Sequence, residues 1–396
     1  MPTESLVEGR VLGLPENSYP TLKIALEYIQ QGRFDLALDL VFDLYTSGSL
    51  QNKFDSAIAD QFPLRMPLIR FSKAIDRVII QLSYSFTDDN IFPADMTSDI
   101  YIIPDLQALI YPPKTIEEED YASIDNRIAN YSDLVSIFPN QNFYIYYLEI
   151  LEFSPINPLL RFFPKADMGQ AYSYLKAHLP EEINTGIFEL NEMNDHLEYF
   201  FRTDHHWNTI GILKGYRSIY GLLSNNYANI PPILEPTSMV PFPGIEFKGT
   251  LARKTLYPIQ GDDFIGFEAD FPECIIKDNG VPIKLDFREE YLRGDYSTTP
   301  FLGHYGLYFG TQEGIINYDC AVNSDRNILI IGDSHARPLV ALIATQYKQT
   351  YFMDLRQDEN FNLTDFLHEY QIEDILIVGG PNVVFLNDEL WEISVN

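Results

Sequence analysis

The last hundred residues constrain the fold more than any other part of this 396-residue chain. Three short apolar runs, 327–332, 350–353 and 374–380, are predicted to be buried strands, and helical patterns at 338–346 and 363–370 separate them. Strands of this length that alternate with helices form parallel βαβ units with right-handed crossovers. The sequence therefore predicts an α/β fold with a parallel central sheet. Any ligand site should lie beyond the carboxyl ends of its strands.

The residues before this region supply further elements. The run 142–150 is almost continuously apolar, which is typical of a strand buried on both faces. Residues 98–111 predict a hairpin, and residues 126–138 and 208–223 predict helices. Residues 225–300 are richer in Pro, Gly and Asp, which indicates an irregular, β-rich insertion.

The N-terminal part is predicted to be a helical extension. Apolar stripes between residues 20 and 46, broken at Gly32, predict two short helices, and the Gly- and Ser-containing stretch 47–51 indicates a boundary. The pattern resembles a single tetratricopeptide-type hairpin, but one such unit is not stable alone. We therefore expect residues 1–52 to form an extension docked on a main domain at residues 53–396.

Composition limits the kind of partner. The chain is 46% hydrophobic and 14% aromatic, which is ample material for a packed core and argues against disorder. Its formal net charge of -30 repels nucleic acid and anionic membrane surfaces. We therefore expect no nucleic-acid partner.

The sequence also gives an expectation for the compartment. The first ten residues lack the basic and apolar segments of a secretory signal, and no run reaches the roughly 18 apolar residues of a membrane span. These observations predict a cytoplasmic chain without an integral membrane segment. An exported protein whose targeting segment is absent from this chain would look the same. Cys274 and Cys320 could form one disulfide or remain two buried thiols, which leaves the compartment open.

A serine motif, Gly332-Asp333-Ser334, follows the strand 327–332 directly and precedes a helix. The glycine permits a tight turn, and Asp333 can accept hydrogen bonds from that turn. Ser334 is thereby exposed at the sheet edge, where backbone N–H groups of the helix start could hold an oxyanion. Asp and Ser are also good helix caps, so a purely structural turn is the alternative.

A histidine motif, Asp204-His205-His206-Trp207, precedes a predicted helix whose N-cap would be Asn208. A carboxylate beside an imidazole fixes its tautomer and leaves the other nitrogen free to take a proton from a serine. Adjacent histidines with an aspartate also suggest a metal site, but no further group stands at a recognised ligand spacing. An Asp-His-His phosphoesterase would need additional Asp-rich motifs. A loop histidine held by packing is the third alternative.

The two motifs together carry a resemblance. Thr203–Asn208 followed by Leu329–Ser334 resembles the DHHW family of SGNH-hydrolase-like proteins, which are relatives of the alginate O-acetylation proteins. The segments 60–65 and 247–250 are similar to pieces of the same family, so the resemblance covers roughly residues 53–385. The histidine motif comes first, as in the alginate-acetylation relatives and unlike ordinary SGNH hydrolases. The resemblance implies an SGNH-hydrolase-like three-layer α/β fold around the parallel sheet.

The resemblance also implies a set of catalytic residues. It assigns a triad to Asp204, His206 and Ser334, in which Asp204 orients the base His206. The candidate oxyanion donors are Ser334, Gly249 and Asn382, although either of the last two could be an ordinary turn residue. If the triad exists, the Ser334 hydroxyl and the His206 ring must lie within hydrogen-bond reach. No metal ion or other cofactor is expected.

Four neighbouring residues are candidate substrate contacts or supports for the triad. The choice of His206 over His205 as the base rests on the resemblance alone, which leaves His205 for such a role. Trp207 and Asp333 are candidates because they flank the motifs. Arg337 could hold an acidic sugar group bidentately, although a salt-bridged helix residue is the alternative.

The function implied by the resemblance is serine-dependent O-acetyl transfer on a carbohydrate or polysaccharide through an acyl-enzyme. The expected partners are a carbohydrate acceptor, an acyl donor and polysaccharide-assembly proteins. The alternatives are a carbohydrate acetyl esterase of the same fold, or a non-catalytic glycan-binding or assembly protein. Relatives of this family are usually exported or membrane-anchored, whereas this chain shows no export segment.

Overall fold

The computed structural model describes residue 33 and residues 65–85, 90–284, 287–310, 314–354 and 362–386. The predicted N-terminal extension lies, apart from Arg33, outside the described residues, and its boundary at residue 52 stays a prediction. The chain divides into two compact units, Met1–Ile79 and Ile80–Asn396. The candidate site lies entirely in the second unit.

The elements are numbered in chain order. The helices are α1 (Arg65–Tyr84), α2 (Glu118–Ile137), α3 (Gln170–His178), α4 (Met193–Tyr199), α5 (Thr209–Ser224), α6 (Thr250–Thr255), α7 (Phe287–Arg293), α8 (His304–Phe309), α9 (Arg337–Ile343) and α10 (Leu363–Tyr370). The strands are β1 (Phe92–Pro93), β2 (Tyr101–Ile103), β3 (Ala108–Ile110), β4 (Asn142–Leu148), β5 (Ile183–Phe188), β6 (Ser238–Phe247), β7 (Asp262–Glu268), β8 (Cys274–Asp278), β9 (Val281–Ile283), β10 (Ile316–Cys320), β11 (Asn327–Gly332), β12 (Gln349–Met353) and β13 (Asp374–Gly379). Among the described residues, no helix combines the length and apolar character needed to cross a membrane.

The central sheet has eight strands in the order β5-β4-β13-β11-β12-β10-β8-β9. The first five are parallel to one another, as the βαβ pattern predicts. The predicted parallel sheet is confirmed for these five strands only, because β10, β8 and β9 continue the sheet antiparallel. Within this edge β8 and β9 are joined by Asn279-Gly280, both with positive φ, and such a two-residue turn closes an antiparallel hairpin.

The sheet has a hydrophobic core on each face, which gives three layers. Successive side chains of a strand point to opposite faces. On β11, accordingly, Ile328 and Ile330 join one core and Leu329 and Ile331 join the other. Helices α5 and α9 cover the first face, and α2, α3 and α10 cover the second. The continuous apolar character of the central strands follows from this burial on both sides.

The segment 225–300 contributes elements to two places in the fold. Strands β6 and β7 form a separate antiparallel pair, whereas β8 and β9 extend the central sheet. Cys274 on β8 and Cys320 on β10 are directly opposed and form a disulfide, with 4.0 Å between their Cα atoms. The structure thus selects the disulfide from the two alternatives that the sequence leaves open.

Candidate active site

Ser334 lies just beyond the carboxyl end of β11, between that strand and α9. Gly332 is required here, because a Cβ at this position would collide with Ala336 and with the carbonyl oxygen of Val378 on the neighbouring strand. The N–H of Ser334 has no acceptor among the described residues. The turn therefore presents both a hydroxyl and an uncommitted N–H at the sheet edge, where the sequence predicts a ligand site.

The histidine motif lies on a tight loop that leads into α5. The loop is closed by a β-bridge between Phe200 and Trp207, and Asn208 caps the helix by accepting hydrogen bonds from the N–H groups of Ile210 and Gly211. The predicted cap and helix are thus confirmed. The cap fixes where α5 begins, and this fixes the histidines in the loop before it.

Asp204, His206 and Ser334 form one hydrogen-bonded chain. The Oδ1 atom of Asp204 lies 2.5 Å from Nδ1 of His206, and Nε2 of His206 lies 2.8 Å from Oγ of Ser334. The Asp204 carboxylate also accepts from the backbone N–H of His206 at 3.0 Å and from that of Thr250 at 2.5 Å. The fold therefore brings together three side chains from loops 128 residues apart.

The electrostatics favour an ionised Asp204 and a neutral His206. Burial alone would raise the pKa of Asp204, but the hydrogen bond to His206 and the nearby imidazoles outweigh it and hold that pKa well below its usual range. Burial lowers the pKa of His206, and the contact with Asp204 offsets only part of this effect. Because an ionised carboxylate only accepts hydrogen bonds, Nδ1 of His206 is assigned the proton and Nε2 accepts from the Ser334 hydroxyl.

Gly249 does not serve as an oxyanion donor, which corrects the expectation from the sequence. Its N–H donates to the hydroxyl of Thr203 at 3.1 Å and is therefore occupied. Its lack of a side chain has another use, because a Cβ at Gly249 would overlap the carboxylate of Asp204. The Thr203 hydroxyl in turn donates to Asp262 at 2.6 Å. Gly249 and Thr250 thus form part of the cradle that holds Asp204.

Tyr305 on α8 completes the surroundings of the hydrogen-bonded chain. Its ring stacks on the His206 ring with 4.1 Å between centroids and 21° between planes. Its hydroxyl donates to the carbonyl oxygen of Ser334 at 3.0 Å. No motif surrounds Tyr305 in the sequence, and sequence reasoning therefore missed it.

A second Asp–His pair lies beside the first. His335 Nδ1 is 3.0 Å from Oδ1 of Asp333, so this pair repeats the two-residue spacing of Asp204 and His206. Burial would lower the pKa of His335, but the adjacent Asp333 outweighs it and raises that pKa. Asp333 therefore supports a neighbouring histidine and not the hydroxyl of Ser334.

A cavity of about 310 Å³ opens over Ser334. His205 and Asn382 line it, together with Glu152 and Lys254. Burial, and then the adjacent His206, lowers the pKa of His205 to about 3, so this imidazole is neutral. Burial raises the pKa of Glu152. The cavity thus combines neutral, cationic and carboxyl groups, of which sequence reasoning identified His205 and Asn382 but not Glu152 or Lys254.

Two candidates from the sequence do not line this cavity. Trp207 is fully buried, packs against Gly215 of α5 and donates to the carbonyl oxygen of His335 at 3.1 Å, so it ties the two loops together and does not line the cavity. Arg337 pairs with Asp354 at 3.7 Å and lines a different cavity of about 600 Å³. Trp207 is therefore placed as a support and not as a substrate contact, and Arg337 is the salt-bridged helix residue that the sequence leaves as the alternative.

No protein-family model and no curated protein sequence matches the chain. Solved structures do match it. A structure of Bacillus cereus PatB1 with a sulfonyl adduct aligns with a TM-score of 0.55 at 19% identity, covering 72% of this chain and 96% of PatB1. A DHHW family protein from Eubacterium siraeum aligns with a TM-score of 0.55 at 15% identity, covering 76% of this chain and 97% of that one. The O-acetyltransferase domain of Pseudomonas putida AlgJ aligns more weakly, with a TM-score of 0.38 at 8% identity, covering 73% and 90%.

The similarities to PatB1 and to the DHHW family protein concern the fold, since both identities are below 20%. The resemblance to the DHHW family stated from the two motifs is confirmed at this level: the chain has the fold of a DHHW family protein and of PatB1.

Proposed function

We propose that this protein transfers an O-acyl group, most simply acetyl, to or from a carbohydrate through an acyl-enzyme on Ser334. The observation that carries the proposal is the hydrogen-bonded chain from Asp204 through His206 to Ser334, at the edge of a cavity. A serine becomes a nucleophile when an adjacent base accepts its proton and a third group orients that base. The separations of 2.5 and 2.8 Å meet this requirement.

The proposed reaction has two symmetrical halves. In the first, Nε2 of His206 takes the proton of Ser334, whose Oγ attacks the carbonyl carbon of an acyl ester; the ester C–O bond then breaks and His206 protonates the leaving oxygen. In the second, His206 deprotonates a hydroxyl of the acceptor, which attacks the acyl-enzyme and releases Ser334. The uncommitted N–H of Ser334 supports an oxyanion in both halves, and Asn382 on the cavity wall is the candidate second donor.

The acceptor decides between the two enzymatic versions of this proposal. A sugar hydroxyl as acceptor makes the protein an O-acetyltransferase, and water makes it an acetyl esterase. The polar cavity lining of His205, Glu152 and Lys254 suits a ligand with many hydroxyl groups, because each hydroxyl can both donate and accept. We therefore favour a carbohydrate ligand in either version.

The disulfide bears on the compartment. Disulfides persist in oxidising compartments and are rare in the cytosol. The bridge between Cys274 and Cys320 therefore favours an exported protein over the cytoplasmic expectation. We propose export on this ground, and polysaccharide-assembly proteins remain the expected partners in such a compartment.

A sulfonyl fluoride tests whether Ser334 is activated. Such reagents form a stable bond with activated nucleophiles, and the PatB1 structure carries a sulfonyl adduct. We expect the reagent to label the protein once, and peptide mass spectrometry to locate the label on Ser334. Neither Ser334→Ala nor His206→Asn should be labelled. Ser173→Ala is the matched control, because its exposed hydroxyl bonds only to the carbonyl oxygen of Gly169, just before its helix.

Turnover of a chromogenic acetyl ester separates the enzyme from the alternatives. We expect a burst of product that falls by about 10³-fold or more in Ser334→Ala. Addition of an oligosaccharide should divert acetyl from water to the sugar if the protein is a transferase, and should leave the acetate yield unchanged if it is an esterase. If the protein neither turns over the ester nor reacts with the sulfonyl fluoride, and if the wild type and Ser334→Ala bind an oligosaccharide equally well, it is instead a non-catalytic glycan-binding protein.

A further inference from the structure

Three imidazoles meet beside Ser334 and form what we call the histidine cluster: His205, His206 and His335. One nitrogen atom from each lies within 4.8 Å of the other two. The ring centroids are 3.9 Å apart for His205 and His206, and 4.9 Å apart for His206 and His335. Among the residues that the structure describes, it is the one group of three or more His, Cys, Asp or Glu side chains close enough to share a metal ion.

Carboxylates orient two members of the cluster. Asp204 lies 2.5 Å from Nδ1 of His206, and Asp333 lies 3.0 Å from Nδ1 of His335. A histidine that binds a metal ion usually donates its other N–H to a carboxylate or carbonyl, which fixes the tautomer and the ring orientation. Both histidines already have this support, so the Nε2 atom of each is the one that can bind a ligand.

One member of the cluster is accessible, and the two loops that carry the cluster are joined to each other. His205 keeps 36% of its side chain exposed, and it lines the cavity over Ser334 together with His335. Nε2 of His335 has only a long contact of 3.4 Å, to the carbonyl oxygen of His205. The indole N–H of Trp207 donates to the carbonyl oxygen of His335 and so joins the two loops that carry the cluster. An ion in the cavity would therefore first meet His205 and His335, on two loops that are joined to each other.

We propose that the histidine cluster binds one Zn²⁺ ion and that the bound ion stops acyl transfer at Ser334. Zn²⁺ prefers tetrahedral coordination by nitrogen and sulfur, and three imidazoles leave the fourth position for water or for the Ser334 oxygen. Mg²⁺ and Ca²⁺ prefer oxygen ligands and do not suit a site made of imidazoles. The cluster should therefore bind Zn²⁺ in preference to Mg²⁺ or Ca²⁺.

The inhibitory part of this inference rests on the proposed function. Nε2 of His206 faces Oγ of Ser334 at 2.8 Å, and its single lone pair accepts the serine proton. The same lone pair cannot bind Zn²⁺ and accept that proton at once. A bound ion thus removes the base from the proposed reaction, and removal of the ion restores it.

Isothermal titration of the metal-free protein with ZnCl₂ tests binding without any need for activity. We expect one ion per chain in the wild type and in Ser334→Ala. His335→Asn should weaken the affinity by at least about tenfold, and Asp333→Asn by about 10–100-fold through the loss of its support. His178→Asn is the matched control, because this exposed histidine bonds only to the carbonyl oxygen of Tyr174. Equal affinities for His335→Asn and His178→Asn would overturn the site.

Ester turnover measured against Zn²⁺ concentration tests the inhibition. We expect turnover to be half lost at the Zn²⁺ concentration at which binding is half complete, and a chelator to restore it. In His335→Asn this concentration should be at least about tenfold higher. Full turnover at saturating Zn²⁺ would overturn the inhibitory role. Stoichiometric Zn²⁺ binding by a protein that turns over no ester would instead overturn the proposed function and leave the metal site standing. MgCl₂ at the same concentrations should affect neither measurement.

Discussion

The ring of Tyr305 stacks on the imidazole of His206 at a centroid distance of 4.1 Å. Its hydroxyl at the same time holds the carbonyl oxygen of Ser334. One side chain therefore fixes the proposed base and the backbone of the proposed nucleophile. We infer that Tyr305 is a positioning residue, which holds the His206 ring and the Ser334 backbone in place relative to each other.

Replacement of Tyr305 by Phe should keep the stack and remove the hydrogen bond to Ser334. Loss of one such bond costs about 1 kcal/mol, so we expect kcat for an acetyl ester to fall about fivefold with KM nearly unchanged. Tyr308→Phe is the control, because the Tyr308 hydroxyl bonds to the backbone of Phe267, away from Ser334. Equal kinetics in the two variants would show that the bond to Ser334 has no part in positioning.

The pH dependence of turnover should reflect the neutral state of His206. A protonated His206 cannot accept the Ser334 proton, so activity is lost as the pH falls through its pKa. Burial lowers that pKa below the ordinary value of 6.5, and turnover should therefore be flat near neutrality and decline only below pH 6.5. A decline centred above pH 6.5 would contradict a buried, neutral base.

His335 should shift this profile. It lowers the pKa of His206 by like-charge repulsion. Substitution of His335 by Gln removes that repulsion, so the acid limb of the kcat/KM profile should move to higher pH. His178→Gln provides the control, because its ring bonds to a helix carbonyl oxygen. An unmoved limb in His335→Gln would show that the two imidazoles do not interact.

A methyl group at Gly249 should disable the site by displacing Asp204. The added Cβ would overlap the Asp204 carboxylate, which holds Nδ1 of His206. We expect Gly249→Ala to lower kcat by about 10²-fold or more, because a misoriented His206 loses most of the rate enhancement that a general base provides. Gly221→Ala is the matched control, because its new Cβ would meet open space. Wild-type turnover in Gly249→Ala would show that turnover does not depend on the position of the Asp204 carboxylate.

The disulfide should stabilise the edge of the central sheet. It links positions 46 residues apart, and removal of a bridge over such a loop costs about 2–4 kcal/mol. We expect Cys274→Ser with Cys320→Ser to lower the free energy of unfolding in urea by this amount. A reductant should destabilise the wild type equally and leave the double variant unchanged. Free thiols in the oxidised wild-type protein, detected by alkylation and mass spectrometry, would contradict the bridge.

Much of the fold could be predicted because the relevant signals are local. The strand 327–332 and the helix 363–370 are set by residues adjacent in sequence, and the structure has both with the predicted bounds. The antiparallel edge could not be predicted in this way. It depends on which strand pairs with β10, and such pairing is decided by the packing of distant segments.

The sequence by itself determined the two motifs, the parallel strands that place Ser334 at a sheet edge, and the cap that places His206 on a loop. Only the tertiary structure decided which side chains meet there. Tyr305 and His335 reach the site through packing, while Trp207 and Arg337 turn away from it although they adjoin the motifs. The physical reason is that a local pattern fixes backbone direction, whereas contacts between side chains far apart in sequence depend on how sheet and helices pack.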